Sequence, residues 1–257
     1  MVGSRQDVYV TNSDAAPAST TPQPLGRRLL AEFLGTAILV AVVVGSGIAA
    51  AQLSPDDVGI QLLENSTATV FGLAVLILML GPVSGAHFNP VVTAADWFLS
   101  RRDPEGFSSS HIAPYLAAQT SGAILGALLA NAMFDVGTTF SGHERASWSH
   151  LLGEVVATAG LVLLIFSLVR SDRAALAAPA VGAYIGAAYW FTSSTSFANP
   201  AVAIGRMFSD TFAGIAPSSV FAFVAAQIVG AAIGAALALT LYPTAATPHV
   251  HQGETHA

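Results

Sequence analysis

Two stretches of this chain combine residue types and spacing that could do chemistry, Asn89-Pro90-Val91 and Asn199-Pro200-Ala201, standing 110 positions apart. In each, Asn is a favoured helix N-cap and Pro a favoured first helical residue, so each reads as a helix start whose Asn amide is free to face a cavity. Both follow apolar runs, and the segment after the second, Val202 to Phe208, is too short and broken to cross a bilayer. They therefore read as half-helices entering a membrane. If one copy is inverted relative to the other, the two asparagines meet at the midplane together with both helix N-termini. Each terminus carries about half a positive charge and unpaired N–H groups. Such a point repels cations, protons included. The amides can donate to an oxygen passing between them, replacing part of the hydration lost by a neutral hydroxylated solute.

Half-helices need a frame of full spans, and the composition supplies one. Of 257 residues, 53% are hydrophobic and 9% charged, and the mean hydropathy is +0.63. A soluble domain is roughly one-quarter charged, so this is an integral membrane protein with room for about six spans of some 20 residues. Apolar runs place them at about Leu29 to Gln52, Leu62 to Leu80, Ile112 to Phe134, Leu151 to Val169, Ala174 to Phe191 and Val220 to Leu241. The polar first 26 residues hold neither a signal peptide nor a span and read as a disordered cytoplasmic tail. The channel domain is expected over 27–242, with a second tail over 243–257, where His249, His251 and His256 read as a mobile segment.

All nine basic residues are Arg, scattered without a basic stripe, so the net charge of −6 gives no reason to expect nucleic acid. Seven of them (Arg5, Arg27, Arg28, Arg101, Arg102, Arg170, Arg173) fall on tails and loops that six spans place on one side; Arg145 and Arg206 fall on the other. The excess sets both termini in the cytoplasm. With no Cys there is no disulfide, thiolate metal site or cysteine nucleophile. No nucleophile, base and oxyanion set is apparent, so neither an enzyme nor a cofactor is expected.

The halves repeat. Ala117-Ala118-Gln119 with Gly122 and Gly126 matches Ala225-Ala226-Gln227 with Gly230 and Gly234 at a constant offset of 108, and Ala31-Glu32 matches Gly153-Glu154 at 122. Repeat 1 (about 27–134) and repeat 2 (about 150–242) each hold three spans, so the second must lie upside down, as in other inverted-repeat membrane proteins. The GxxxG pairs supply small faces for close helix packing.

The segments Ser84-Gly85-Ala86-His87-Phe88-Asn89-Pro90 and Asn199-Pro200-Ala201, with Glu32 and Glu154 in the first and fourth spans, resemble the aquaporin and aquaglyceroporin family over about residues 27 to 242. The resemblance implies an all-α membrane fold of six transmembrane helices and two re-entrant half-helices, a pore in each protomer, and a homotetramer. It also implies that Glu32 and Glu154 accept backbone N–H bonds from the re-entrant loops; His87 reads as a structural donor holding its own loop. Two departures stand out. Val91 replaces the usual Ala, and Val202 occupies the place of the Arg that normally narrows the outer constriction. Counting without gaps from the two asparagines puts the other constriction positions on Thr69, Ala187 and Ser196. A filter of Thr, Ala, Ser and Val, with no guanidinium, is expected to be wider and less polar than a water-selective one. Tyr189 to Val202 is similar to bacterial members linked to arsenic resistance. The expected cargo is thus arsenite, antimonite, methylated arsenicals and glycerol, with water secondary, through a bacterial inner membrane.

Several readings stay open at this level. Arg206 either lends positive charge to the outer mouth or pairs with Asp210 at i,i+4. Glu32 either serves its loop or pairs with Arg28. Asn65-Ser66-Thr67 fits a glycosylation acceptor but abuts a span. A water-selective pore is the alternative within the channel class. A secondary transporter also uses inverted repeats and broken helices, but it usually carries coupling ionisable residues at the midplane.

Overall fold

The computed structural model describes residues 23–243, so nearly all of both expected tails, with Arg5 and the C-terminal histidines, lies outside the described residues. Six long helices, α1 (Leu25–Leu53), α2 (Val58–Ser84), α4 (Ile112–Met133), α5 (Trp148–Arg170), α6 (Ala177–Phe191) and α8 (Pro217–Leu241), frame two short ones, α3 (Pro90–Ser100) and α7 (Pro200–Arg206). With the single 3-10 turns that lead into α4 and α6, the six long helices reach spanning length at mean hydropathies between 1.3 and 2.3. At about 1.5 Å per residue, α3 and α7 rise only about 16 and 10 Å, about half and a third of a hydrocarbon core.

α1, α2 and α8 each begin about a turn before the apolar run that announced them. Asp57 caps α2 by accepting from the Ile60 N–H at 3.0 Å, and Pro217 opens α8 from its first turn. Capping residues are polar or rigid, so hydropathy passes over them.

The chain buries its carboxylates and amides and leaves many large apolar side chains on the outside. Phe221, Phe71 and Leu78 are 85%, 67% and 63% exposed, while Glu32, Gln119, Glu154 and Gln227 are fully buried. That is the distribution a hydrocarbon solvent demands, because it rewards no burial of apolar groups and satisfies no polar ones.

Glycines set how closely the helices cross. A Cβ on Gly122 or Gly126 of α4 would stand 2.3 or 2.1 Å from the Phe33 or Ala37 carbonyl of α1; on Gly230 or Gly234 of α8 it would stand 2.5 or 2.4 Å from the Val155 or Ala159 carbonyl of α5. The crossing is therefore made twice with the same parts, at the spacings seen in the sequence. Three spans separate the copies, so the second traverses the bilayer in the opposite sense.

The loops before α3 and α7 repeat as well. Ala86 and Phe88 have φ of 49° each, and Ser196 and Ala198, 110 positions on, have 52° and 47°. Left-handed backbone at four non-glycine residues costs of order 1–3 kcal/mol apiece and persists only where surroundings enforce it.

Candidate functional site

The enforcing groups are two buried carboxylates. Glu32 of α1 accepts from the Ser84 hydroxyl (2.7 Å), the His87 and Phe88 N–H groups (3.0 and 2.7 Å) and the Gln119 amide (2.7 Å). Glu154 of α5 accepts from the Phe197 and Ala198 N–H groups (2.9 and 2.8 Å) and the Gln227 amide (2.6 Å). Each carboxylate thereby holds one re-entrant loop in its strained form.

The loops also hold each other. Asn89 donates to the Ala198 carbonyl and Asn199 to the Phe88 carbonyl, both at 2.7 Å. Their Oδ1 atoms cap the short helices, Asn89 through Val91 N (3.1 Å) and Asn199 through Ala201 N and Val202 N (3.0 and 3.2 Å). Each amide nitrogen carries two hydrogens and spends one across the midplane. The second is left for the space both residues line.

That space is a cavity of about 540 Å³ bounded by α1, α2, α3, α5, α6, α7 and both loops. Much of its wall is apolar, Leu39, Val43, Leu73, Leu161, Val181 and Ile185 among it. Toward the face where α1 begins and α8 ends it carries His87 and Asp96, which approach to 3.3 Å; His87 Nδ1 meets the Thr93 hydroxyl at 3.0 Å. Toward the opposite, distal face it carries Thr69, Tyr189, Ser196, Val202 and Arg206. Thr69 and Tyr189 join hydroxyls at 3.2 Å, whereas the buried Ser196 hydroxyl has no partner.

Of the sequence-derived site residues, Thr69, His87, Asn89, Ser196, Asn199, Val202 and Arg206 line this cavity. Pro90, Val91, Pro200 and Ala201 form the first turns of α3 and α7. Ala187 does not belong with them. It is exposed on the outer surface of α6, whose cavity face repeats every four residues through Val181, Ile185 and Tyr189. Gapless counting fails there because the stretch joining α6 to Asn199 is not helical from Thr192 on. The expectation of a filter with no aromatic or charged member falls with it, since Tyr189 and Arg206 stand in the wall.

Three open readings close. Arg206 is 3% exposed and does not pair with Asp210; its Nε donates to the Ala213 carbonyl, and its guanidinium carbon lies 3.5 Å from the Phe197 ring centroid. Asp210 instead accepts from Gly142 N at 3.0 Å. Arg28 does not pair with Glu32; it donates to the Tyr115 hydroxyl at 2.7 Å. Asn65 is buried and donates to the Val43 carbonyl and the Ser46 hydroxyl, both at 2.8 Å, so its acceptor-like sequence serves α1–α2 packing.

Tyr189, Phe197 and Asp96 were missed, as was the role of Gln119 and Gln227. The glutamines were visible as repeat markers, and the four-residue period of α6 could have singled out Tyr189.

The family model described as major intrinsic protein matches residues 19–198. Among curated proteins, the chain is 48% identical over 217 residues to aquaglyceroporin AqpS of Rhizobium meliloti, covering 83% of this chain and 89% of that one. It is 30% identical over 245 residues to aquaporin AqpM of Methanothermobacter marburgensis, covering 85% and 96%. Among solved structures, it resembles the aquaglyceroporin from Plasmodium falciparum with a TM-score of 0.59 at 21% identity, covering 85% and 96%, a likeness of fold alone.

Proposed function

The chain belongs to the major intrinsic protein family, multi-pass membrane channels for small neutral solutes and not enzymes, and on that premise we propose that its cargo is polyols and the neutral hydroxides of metalloids. Glycerol, arsenite, antimonite and methylated arsenicals form this class, with water as a secondary permeant. The supporting observation is the mixed wall of the cavity, apolar at Leu39, Val43, Leu73, Leu161, Val181 and Ile185 and hydroxyl-bearing at Thr69, Tyr189 and Ser196, with Val202 rather than an arginine next to Ala201. Such a wall suits a solute whose carbon or metalloid side is apolar and whose other side is hydroxyls. The aquaglyceroporin relative is consistent with this class.

Selection in this reading is shared among Thr69, Tyr189, Ser196, Val202 and Arg206, and the free amide hydrogens of Asn89 and Asn199 hand the solute across the midplane. Glu32, Glu154 and His87 hold the loops. The working unit is one channel domain over 27–242, assembled as a homotetramer in a bacterial inner membrane, with both termini cytoplasmic by the arginine asymmetry. A water-selective pore is favoured by one feature, the tyrosine and arginine at the distal end. The two are separated by comparing uptake of glycerol, arsenite, a methylated arsenical and water in one vesicle preparation. Glycerol and arsenite uptake at least about tenfold above empty vesicles is expected; water flux with neither solute would establish the narrower pore.

A further inference from the structure

Arg206 carries a charge that no ion pair neutralises. Among the described residues it enters no ion pair, and its one hydrogen bond, from Nε to Ala213, leaves Nη1 and Nη2 without a protein acceptor. A guanidinium stays protonated even when desolvated, so the charge is permanent. A second guanidinium lies close by. Arg145 donates from Nε to the Gly214 carbonyl (2.7 Å) and from Nη2 to the Phe212 carbonyl (3.1 Å), and sits 5.5 Å from the same Phe197 ring. Three successive carbonyls and one aromatic ring thus position two cations. The carboxylate nearest in the hydrogen-bond network, Glu154, is fully buried behind the loop and spends its oxygens on Phe197, Ala198 and Gln227. Even fully ionised, it offsets only one of the two.

Arg206 shares the wall at this end with Ser196, whose buried hydroxyl has no partner, and with Tyr189, whose hydroxyl meets Thr69 at 3.2 Å. Of the other charged groups in the wall, Asp96 lies beyond the asparagine pair and is engaged by His87. A planar fork of N–H donors with flanking hydroxyls matches two oxygens sharing one negative charge.

We infer that the distal end of the cavity is a binding site for small monoanionic oxyacids of formate size, with Arg206 as the residue that confers charge recognition. The inference rests on the channel reading only in needing the lumen to be reached from solvent. It is distinct from the neutral cargo, because the guanidinium distinguishes an anion from an uncharged solute of the same shape.

The probe is 13C-labelled formate, whose NMR line width is followed as detergent-purified protein is added, with formamide as the neutral shape-match. Saturable broadening of formate is expected for the unaltered chain, with at least tenfold weaker broadening of formamide. Arg206→Met should abolish it and Arg206→Lys should retain part of it. Because Arg206 also braces Phe197, Val202→Phe provides a second variant, which fills the approach one turn away and leaves the guanidinium in place; it too should lose the signal. No broadening by the unaltered chain, equal broadening by formamide, or an unchanged signal in either folded variant would overturn the inference. Glycerol flux in vesicles from the same preparation separates the two ideas. Flux without formate binding defeats only the anion site, and formate binding without flux defeats only the channel cargo.

Discussion

Replacing Glu154 by leucine is expected to lower the yield of folded protein at least about tenfold and to abolish glycerol flux in what remains. The carboxylate is the acceptor for two loop N–H groups and the Gln227 amide, in a site with no water-exposed surface. Leaving a buried donor unmet costs about 1–3 kcal/mol, so three together cost about 3–9 kcal/mol, comparable with the whole stability of a typical domain. The loop released is the one that holds Ser196 and Ala198 in left-handed backbone and carries Asn199 to the midplane. Glu32→Leu should repeat the loss in the other half. Glu154→Gln retains one acceptor oxygen and should fall between. Size-exclusion profiles after detergent extraction, with vesicle flux, read both effects; a monodisperse Glu154→Leu protein conducting at half the normal rate would exclude this role.

The second large effect is expected at Val202, where arginine should cut glycerol and arsenite flux at least about tenfold while changing water flux by no more than about twofold. A tenfold loss requires only about 1.4 kcal/mol of added barrier. The new side chain would project into the distal wall between Asn199 and Arg206, one turn before a guanidinium that already lacks a counter-charge. Like charges at i,i+4 repel, so the longer chain is pushed into the lumen and not along the wall. Water passes a narrowing that stops a three-carbon polyol. Equal losses for water and glycerol would mean that Val202 does not set the size limit.

Much of this architecture was written in local features. The half-helices were legible because Asn and Pro sit at N-cap and N1, and the inverted halves because GxxxG and Glu recur at fixed offsets. Those signals report backbone geometry and close approach, which a few residues specify alone. The distal wall was less legible. Placing Ala187 there assumed that the segment between α6 and Asn199 keeps a standard length, but non-helical backbone after Phe191 breaks the count. Tyr189 replaces it because the lumen sees one face of α6, and a face is a property of packing. Arg206 reads from sequence as either a mouth charge or a partner of Asp210; its burial depends on Phe197 and the Ala213 carbonyl, which approach from the loops before and after α7. Likewise the cross-midplane bonds from Asn89 to Ala198 and from Asn199 to Phe88 join segments that no local pattern relates.

The cross-bracing also explains why the site tolerates strain. Of the four left-handed residues, Phe88 and Ala198 are each fixed on one side by a buried carboxylate and on the other by the opposite loop's asparagine, so neither loop relaxes without the other. A passage held this way keeps its donors in place before a solute arrives, and transfer across the midplane then needs no conformational cycle. Among the described residues, the titratable side chains in the lumen wall besides Arg206 and Tyr189 are His87 and Asp96, which approach each other to 3.3 Å.

The most direct measurement of that passive passage is glycerol flux by light scattering in vesicles of purified protein, across a series of outward gradients, with and without a pH difference. The expected result is flux proportional to the gradient, unsaturated and indifferent to the pH difference. Flux that saturates with glycerol and rises with an imposed proton gradient would contradict a channel and require a coupled carrier in its place.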